Sequence, residues 1–412
     1  MTLIVPERSS TPIASPPIGG AQNGILNALL DRTPLGWLQL KKSKSRLIVA
    51  IAGIGFADLL MFAQLGIQAA LFDSNTMLNR GMDANIIIRS AQYRDLNLAN
   101  TFPRRRLYQM KDIEGVQSAS PLYVSTVVWK NPQTRRRTQL TLAGQDLDRP
   151  AFLFDEVNQN LDRLKQSDTF LFDRLTRGEY ADVVAQVAGG KSSKTEINRR
   201  TIEVTGLFSL GASFATDGTL ITSSENFLRF FPERNPGQIT LGLIKVEQGV
   251  NPESVLAKIK AILPPDTIAS TKQDYVDYEQ AYWQKTTPIG IVFTFGTVMA
   301  FVVGTVIVFQ ILSTDVNEHM SEYATFKAMG YRDRYLLMIV LEQSVILASL
   351  GFIPGLALAL GQYALISNAA ALPIAMTTSR VILVFSLTMA MCVISGVIAT
   401  RKLQSADPAD NF

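Results

Sequence analysis

Four apolar runs dominate this chain of 412 residues. Each reaches the roughly 20 residues a helix needs to cross hydrocarbon. They cover about 47–72, 288–313, 335–366 and 381–400. The third is long enough to be tilted, or kinked at Pro354, whose ring removes a helix donor. A signal peptide is a poor reading of the first. About 45 residues precede it, and it outlasts an h-region. Such runs, with charged residues at only 18%, indicate a membrane protein. The net charge of +4 does not indicate nucleic acid, because the cations form no long stripe.

Positive charge sets the expected orientation. Lys41, Lys42, Lys44 and Arg46 precede the first span, which predicts a cytoplasmic N-terminus. The loop 314–334 and the tail 401–412 then share that side, and 73–286 lies on the other. The expected localisation is the inner (plasma) membrane, with the large domain periplasmic. Residues 1–46 are read as a cytoplasmic tail, with its first 30 or so residues disordered, followed by a short helix before the span. The fold class expected is an α-helical membrane protein. One span precedes and three follow a large α+β domain inserted between the first two.

Local signals outline that domain. "DANIIIRS" and "ITLGLIKVEQG" read as strands, and "FPRRRLYQMKDIEG" as a helix closed by Gly115. "VSTVVWKNPQTRRRTQLTLAG" reads as a hairpin turning at Asn131-Pro132. "NPESVLAKIKAILP" reads as a helix with Asn251 as N-cap and Pro252 in its first position. The stretch from about 150 to 235 looks like an insertion with polar helices and β-like pieces. Two arginine triplets, Arg104–Arg106 and Arg135–Arg137, read as solvated surface or as contacts for an anionic head group or acidic partner.

Catalytic chemistry finds little support. One cysteine, Cys392, and one histidine, His319, leave no His/Cys-rich metal site. "AQVAGGKS" at 185–192 fits a loose phosphate-binding loop, but a polar loop and a strand follow where a helix should start. No nucleophile elbow appears. "KQDYVDYEQAYWQK" could hide an acid pair. It reads better as an amphipathic helix entering the second span, with Tyr278, Tyr282 and Trp283 at interfacial depth.

Within the spans, Asp58 and Glu342 are candidates for polar contact, anchoring or coupling, because a carboxylate in hydrocarbon is costly. Gly351 with Gly355, and Ala300 with Gly304, have the spacing that lets helices approach closely.

Between the second and third spans lies "NEHMSEYATFKAMGYRDRY". Val316, Met320, Tyr323, Ala324 and Met329 fall on one helical side, and Glu318, Glu322 and Lys327 on another. This stretch and the following "LLMIVLEQSVILASLGFIPG" resemble the FtsX/MacB family of ABC-transporter permeases. The matching residues are Glu318, Glu322, Lys327, Ala328, Met329, Gly330, Glu342, Gly351 and Gly355. The closing Asp407-Pro408-Ala409 is similar too. "FADLLMFAQLGIQAALFDSN" and "GLFSLGASFATDGTLITS" resemble the DevC-type permease of cyanobacteria. His319, where the family usually has Arg, and the long N-terminal tail depart from the pattern.

The resemblance implies a mechanism. The charged helix is a coupling helix that docks on a separate ABC ATPase subunit, DevA-like, which binds ATP and magnesium. The implied contacts are Glu318, His319, Glu322, Tyr323, Phe326, Lys327, Met329 and Gly330. The chain itself holds no cofactor and no catalytic or metal residues. Two permeases pair as a homodimer, and a domain of porter and sabre subdomains drives cargo outward. The implied partners are a DevB-like periplasmic adaptor and a TolC-like channel, and the implied cargo is a glycolipid or other amphiphile. An FtsX-like regulator of cell-wall hydrolases is the alternative, and a membrane-anchored enzyme or sensor is a third reading.

Overall fold

The structure is a computed structural model and describes residues 35–42, 44–370 and 373–404. Most of the N-terminal tail and the Asp407-Pro408-Ala409 motif lie outside the described residues. Four helices are long and apolar enough to cross a membrane. They are α2 (Lys44–Arg80), α8 (Pro288–Glu318), α10 (Asp333–Ala370) and α11 (Thr378–Gln404). A short helix, α1 (Leu35–Lys42), precedes them. Its Gly36 lies against Ile339 and Gln343 of α10, and Leu40 joins the bundle core.

At 1.5 Å per residue α2 is about 55 Å long, well over the ~30 Å of hydrocarbon. It runs past the apolar limit at Phe72 into "DSNTMLNR" because those polar groups bond within the helix. Ser74 donates to the Leu71 carbonyl at 2.8 Å, and Arg80 pairs with Asp73 at 2.9 Å. The end of α2 therefore stands clear of the bundle and enters the inserted domain.

Close packing fixes the bundle. A Cβ at Gly351 would lie 2.6 Å from Ile54 Cβ. One at Gly355 would lie 2.8 Å from Asp58 Cβ and 3.1 Å from the Gly55 carbonyl. The Gly351/Gly355 pair thus lets α10 cross directly over α2. Gly304 does the same for α8, facing Ala57 and Met391.

The inserted domain is built on one nine-stranded sheet. Its strands are β1 (Ile86–Ser90), β2 (Val116–Lys130), β3 (Arg137–Gln145), β4 (Thr169–Asp173), β5 (Ser193–Ile197), β6 (Arg200–Phe208), β7 (Thr219–Ser223), β8 (Leu241–Val246) and β9 (Thr267–Thr271). The order is β9-β1-β8-β2-β3-β7-β4-β6-β5, and β5 also pairs with the end of β2. That extra pairing closes β2, β3, β7, β4, β6 and β5 into a ring. The stretch read as an insertion supplies four of the six ring strands, so it extends the sheet.

Strand β2 serves both halves. Residues 116–122 pair with β8 and residues 122–130 with β3. Trp129, Leu140, Phe170, Phe172 and Val204 pack into one core. The opposite face, with Ile87, Leu122 and Leu243, packs on Leu78 of α2 and Tyr275 of α7 (Lys272–Lys285).

Several local readings hold. Asn251 caps α6 (Pro252–Ile262), its side chain accepting from Glu253 N at 2.9 Å, with Pro252 next. The β2–β3 hairpin turns at Asn131, whose Oδ1 accepts from Gln133 N and Thr134 N. One reading needs correction. The helix over "FPRRRLYQM", α3 (Arg104–Met110), ends well before Gly115, whose φ of +91° serves the turn into β2.

Helix α7 leads into α8 as expected, but Tyr278 is bound into the domain. Its hydroxyl donates to the Tyr93 carbonyl at 2.9 Å, and Arg89 lies 4.0 Å over its ring. One turn away from Tyr275, Glu279 is buried. Tyr93 donates to its carboxylate, and Tyr275 lies 2.6 Å from Tyr93, hydroxyl to hydroxyl. Loss of water pushes the Glu279 carboxyl up to about 7, against the hydrogen bond from Tyr93.

Two outcomes follow. Gly351→Val should destabilise the purified protein by about 1–3 kcal/mol through overpacking, read as a lower unfolding temperature in detergent. Glu279 holds its proton more tightly when folded, so its contribution is full below pH ~4.5 and is lost as pH rises through about 7. Thermal unfolding at pH 5 and pH 8 should differ by up to roughly 3 kcal/mol from this group. Glu279→Gln should flatten that difference, and a variant with the full pH slope would refute the assignment.

Candidate functional site

At the end of the bundle away from the inserted domain, α8 stops at Glu318 and α9 (Met320–Ala328) begins. His319 makes the joint, with φ −93° and ψ 13°. The break is slight. His319 N still donates to the Asp315 carbonyl at 3.2 Å, and Tyr323 N to the His319 carbonyl at 3.0 Å. The two helices form an elbow with continuous hydrogen bonding.

Glycine ends α9. Gly330 adopts φ +92°, Gly330 N donates to the Lys327 carbonyl at 2.9 Å, and Tyr331 N to the Phe326 carbonyl at 3.1 Å. This is a Schellman closure, and its usual apolar contact is present. Phe326 and Tyr331 pack edge to face at 5.7 Å, and Tyr335 meets Phe326 edge to face at 6.1 Å and lies tilted against Tyr331 at 4.7 Å. Lys327 pairs with Asp333 at 3.2 Å, tying the end of α9 to the start of α10.

Burial sorts the residues that the sequence offered as partner contacts. Glu318, Glu322, Met329 and Gly330 are exposed, Met329 at 61%. Phe326 and Lys327 are half-buried. Tyr323 is fully buried, in a cluster with Val316, Leu336, Ile339 and Val340. His319 is buried as well. Tyr323 and His319 therefore face the bundle and do not present side chains to a partner. The sequence put Tyr323 on the apolar side of the helix, and its packing agrees with that side. The exposed face is a stripe of Glu318, Ser321, Glu322, Thr325, Ala328 and Met329. Ser321 and Thr325 were missed, although each sits three residues after a glutamate, and Ala328 was named for its likeness to the family but not as a contact.

The elbow rests on a polar network, also missed. Asp315 is buried at the end of α8. Gln343 Nε2 of α10 donates to its Oδ2 at 3.0 Å. His319 Nδ1 lies 3.0 Å from the Asp315 carbonyl and 3.7 Å from its Oδ1. Arg46, in the first turn of α2, pairs with Glu318 and lies 4.0 Å from Asp315. Three spans and the elbow thus meet within one cluster. Glu342 stands beside Gln343, half-buried, with Oε1 lacking a hydrogen-bond partner among the described residues.

Asp58 lies deeper, fully buried between α2, α10 and α11. Thr388 donates to its Oδ1, and Oδ2 has no hydrogen-bond partner among the described residues. Gly355 faces it directly. Pro354, inside α10, is half-buried beside that crossing. Asp58, Gly351 and Gly355 come together there, far along α2 from the elbow.

The Gly189-Gly190-Lys191 loop follows a helix, α4 (Ala181–Ala188), and precedes β5. This reverses the strand-loop-helix order of a phosphate-binding loop. Among the described residues no three His, Cys, Asp or Glu side chains gather as a metal site needs.

Comparison with known proteins bears on the bundle. No curated protein matches the chain. The inserted domain is similar in structure to the periplasmic region of MacB from Actinobacillus actinomycetemcomitans. The identity is 14% and the TM-score 0.32, over 48% of this chain and 94% of that one. It is also similar to the extracellular domain of the noncanonic ABC-type transporter YknZ from Gram-positive bacteria. There the identity is 12% and the TM-score 0.30, over 45% of this chain and 98% of that one. Residues 294–408 match the FtsX-like permease C-terminal family. That match takes in most of α8, the elbow, α10 and α11, so Asp315, His319, Gln343 and the exposed stripe belong to the part of the chain that is similar to FtsX-like permeases, and Arg46 lies outside it.

Proposed function

We propose that the chain is the permease subunit of an ABC-type exporter and that the α9 stripe is where a separate ATPase subunit docks. The observation that carries this is the elbow. An exposed helical face, itself within the stretch that matches FtsX-like permeases, sits on a network that joins α8 and α10 to the start of α2. A push on α9 reaches three spans at once, because Asp315 cannot lose its partners cheaply. Its hydrogen bond from Gln343 is to a charged group, of a kind worth about 1.5–3 kcal/mol.

The motion has a route to the inserted domain. Helix α2 begins in the network, is gripped by Gly351 and Gly355, and ends in the domain core at Leu78. The proposed work is mechanical, with ATP and magnesium held by the partner. The finer reading is a DevC-type subunit in the inner membrane, N-terminus cytoplasmic, paired with a second permease. It would serve a tripartite assembly with a periplasmic adaptor and an outer channel, and move a glycolipid or other amphiphile. This reading rests on the sequence motifs.

Docking is tested by co-expressing the chain with the proposed ABC ATPase partner and purifying the pair in detergent. Glu322→Arg/Thr325→Arg changes exposed side chains, so folded yield should hold. Co-purified ATPase and ATPase stimulation should fall by about tenfold or more, the scale of losing one or two charged contacts. A complex that assembles and turns over normally would sink the proposal. Tyr323→Asp should instead lose folded protein, because it places a carboxylate in an apolar cluster.

The elbow's own stability is separable. A Cβ at Gly330 meets nothing within 4 Å, so Gly330→Ala is strained by its φ of +92° alone. It should weaken α9 by about 1 kcal/mol, seen as faster hydrogen exchange over 320–330, whereas Gly330→Asn should exchange nearly as the wild type.

A further inference from the structure

The second arginine triplet finds a use in the ring of the inserted domain. Where β2 ends and β3 begins, next to the β5–β6 hairpin, there is a cleft of about 380 Å³. It is lined by Val128, Lys130, Arg137, Glu196, Asn198 and Arg199. The pairing of β5 with the end of β2 brings these residues together from positions about 60 apart in sequence.

The charges do not cancel. Lys130 pairs with Glu196 at 2.8 Å, and that hydrogen bond holds the Glu196 carboxyl below its usual range, with Arg135 and Arg137 contributing. One carboxylate is then spent on one lysine. Arg137 and Arg199 form no ion pair among the described residues, yet both border the cleft.

The hairpin makes the stronger point. Ile197 pairs with Arg200, so the loop is the two residues Asn198 and Arg199, with φ of 48° and 69°. Both are left-handed, the pattern of a type I′ turn. Asn-Gly is the sequence such a turn favours, and arginine stands in the glycine position. A side chain there strains the backbone, and such strain is concentrated at functional positions, although Arg135 and Asp168 of this domain share it. Asn198 is itself anchored, accepting from Val128 N at 3.0 Å, so Arg199 is held at the cleft's rim.

We propose that this cleft binds a phosphate-bearing ligand through Arg137 and Arg199. Planar guanidinium forks match phosphate oxygens in pairs, and two of them suit a dianion. The cleft is of head-group size. Its volume falls in the roughly 300–1,000 Å³ range of small-ligand pockets, so an acidic protein surface is the less fitting occupant. The phosphate could belong to a soluble ester or to a lipid head group.

Full-length protein in dodecyl maltoside, which carries no phosphate, is titrated calorimetrically with glycerol 3-phosphate and, separately, with phosphatidic acid in mixed micelles. Saturable binding of the ester assigns a soluble ligand class, and binding of the lipid alone assigns a head group. Either result supports the site if Arg137→Ala/Arg199→Ala weakens it by about tenfold or more and Arg104→Ala/Arg105→Ala does not. Arg199→Gly should lower affinity while raising the unfolding midpoint by about 2–4 °C as the turn relaxes. Three results overturn the proposal: neither phosphate compound saturates, hexaglutamate binds in their place, or Arg199→Gly binds as the wild type does.

Discussion

A buried carboxylate at the end of α8 holds the bundle's domain-distal end together. Asp315 has lost its water, and a lone charge in that position would cost several kcal/mol. Gln343 and His319 bond to it or to its carbonyl, and Arg46 stands behind Glu318. Each of these charges is on the wrong end of its own helix. Arg46 sits at the positive N-terminus of α2, and Asp315 and Glu318 sit at the negative C-terminus of α8. Helices α2 and α8 run antiparallel, so the two misplacements answer each other across the interface. A charge that opposes its own helix dipole is a local rule broken for a tertiary reason. That reason is the joining of the first span to the elbow.

From this joint, α2 is the member common to every layer. Its lower end is fixed by Arg46 and its middle by the approach of Gly351 and Gly355 to Ile54, Gly55 and Asp58. Its upper end carries Leu78 into the domain core beside Tyr275. A continuous helix is stiff, and its three grips lie on different partners. Rotation or tilt at one end therefore appears at the other without passing through a flexible loop. Helix α7 runs beside it into α8, and Gln280 bonds to Asp73 at 3.2 Å, so the domain is seated on two spans.

What could be read from the sequence was what local chemistry encodes. Apolar runs marked the spans, Asn251-Pro252 marked a helix start, and Asn131-Pro132 marked a turn. The ring was not legible, because the β2–β5 and β3–β7 pairings join segments more than 60 residues apart and leave no local trace. The Asp315 network was hidden for the same reason, though the dipole mismatch at Arg46 and Glu318 was a usable signal. Tyr323 shows a different failure. Its spacing from Val316 and Met320 places it on the buried face, and a resemblance drew it toward the partner surface. Spacing was the better guide.

The domain has no natural hinge between its two halves, and β2 is why. Its 15 residues span about 50 Å at strand rise. Leu122 stands at the changeover, paired with Leu241 on one side and with Gln145 on the other. The sheet that rests on α2 and α7 and the ring that bears the arginine cleft therefore share one unbroken strand. Bending them apart would break ladder bonds on both sides of Leu122 while exposing the core on either face. Under the proposed function, a displacement entering at Leu78 and Tyr275 would pass to the ring as a rigid movement, carrying the residues at its far end, Lys130 to Arg137.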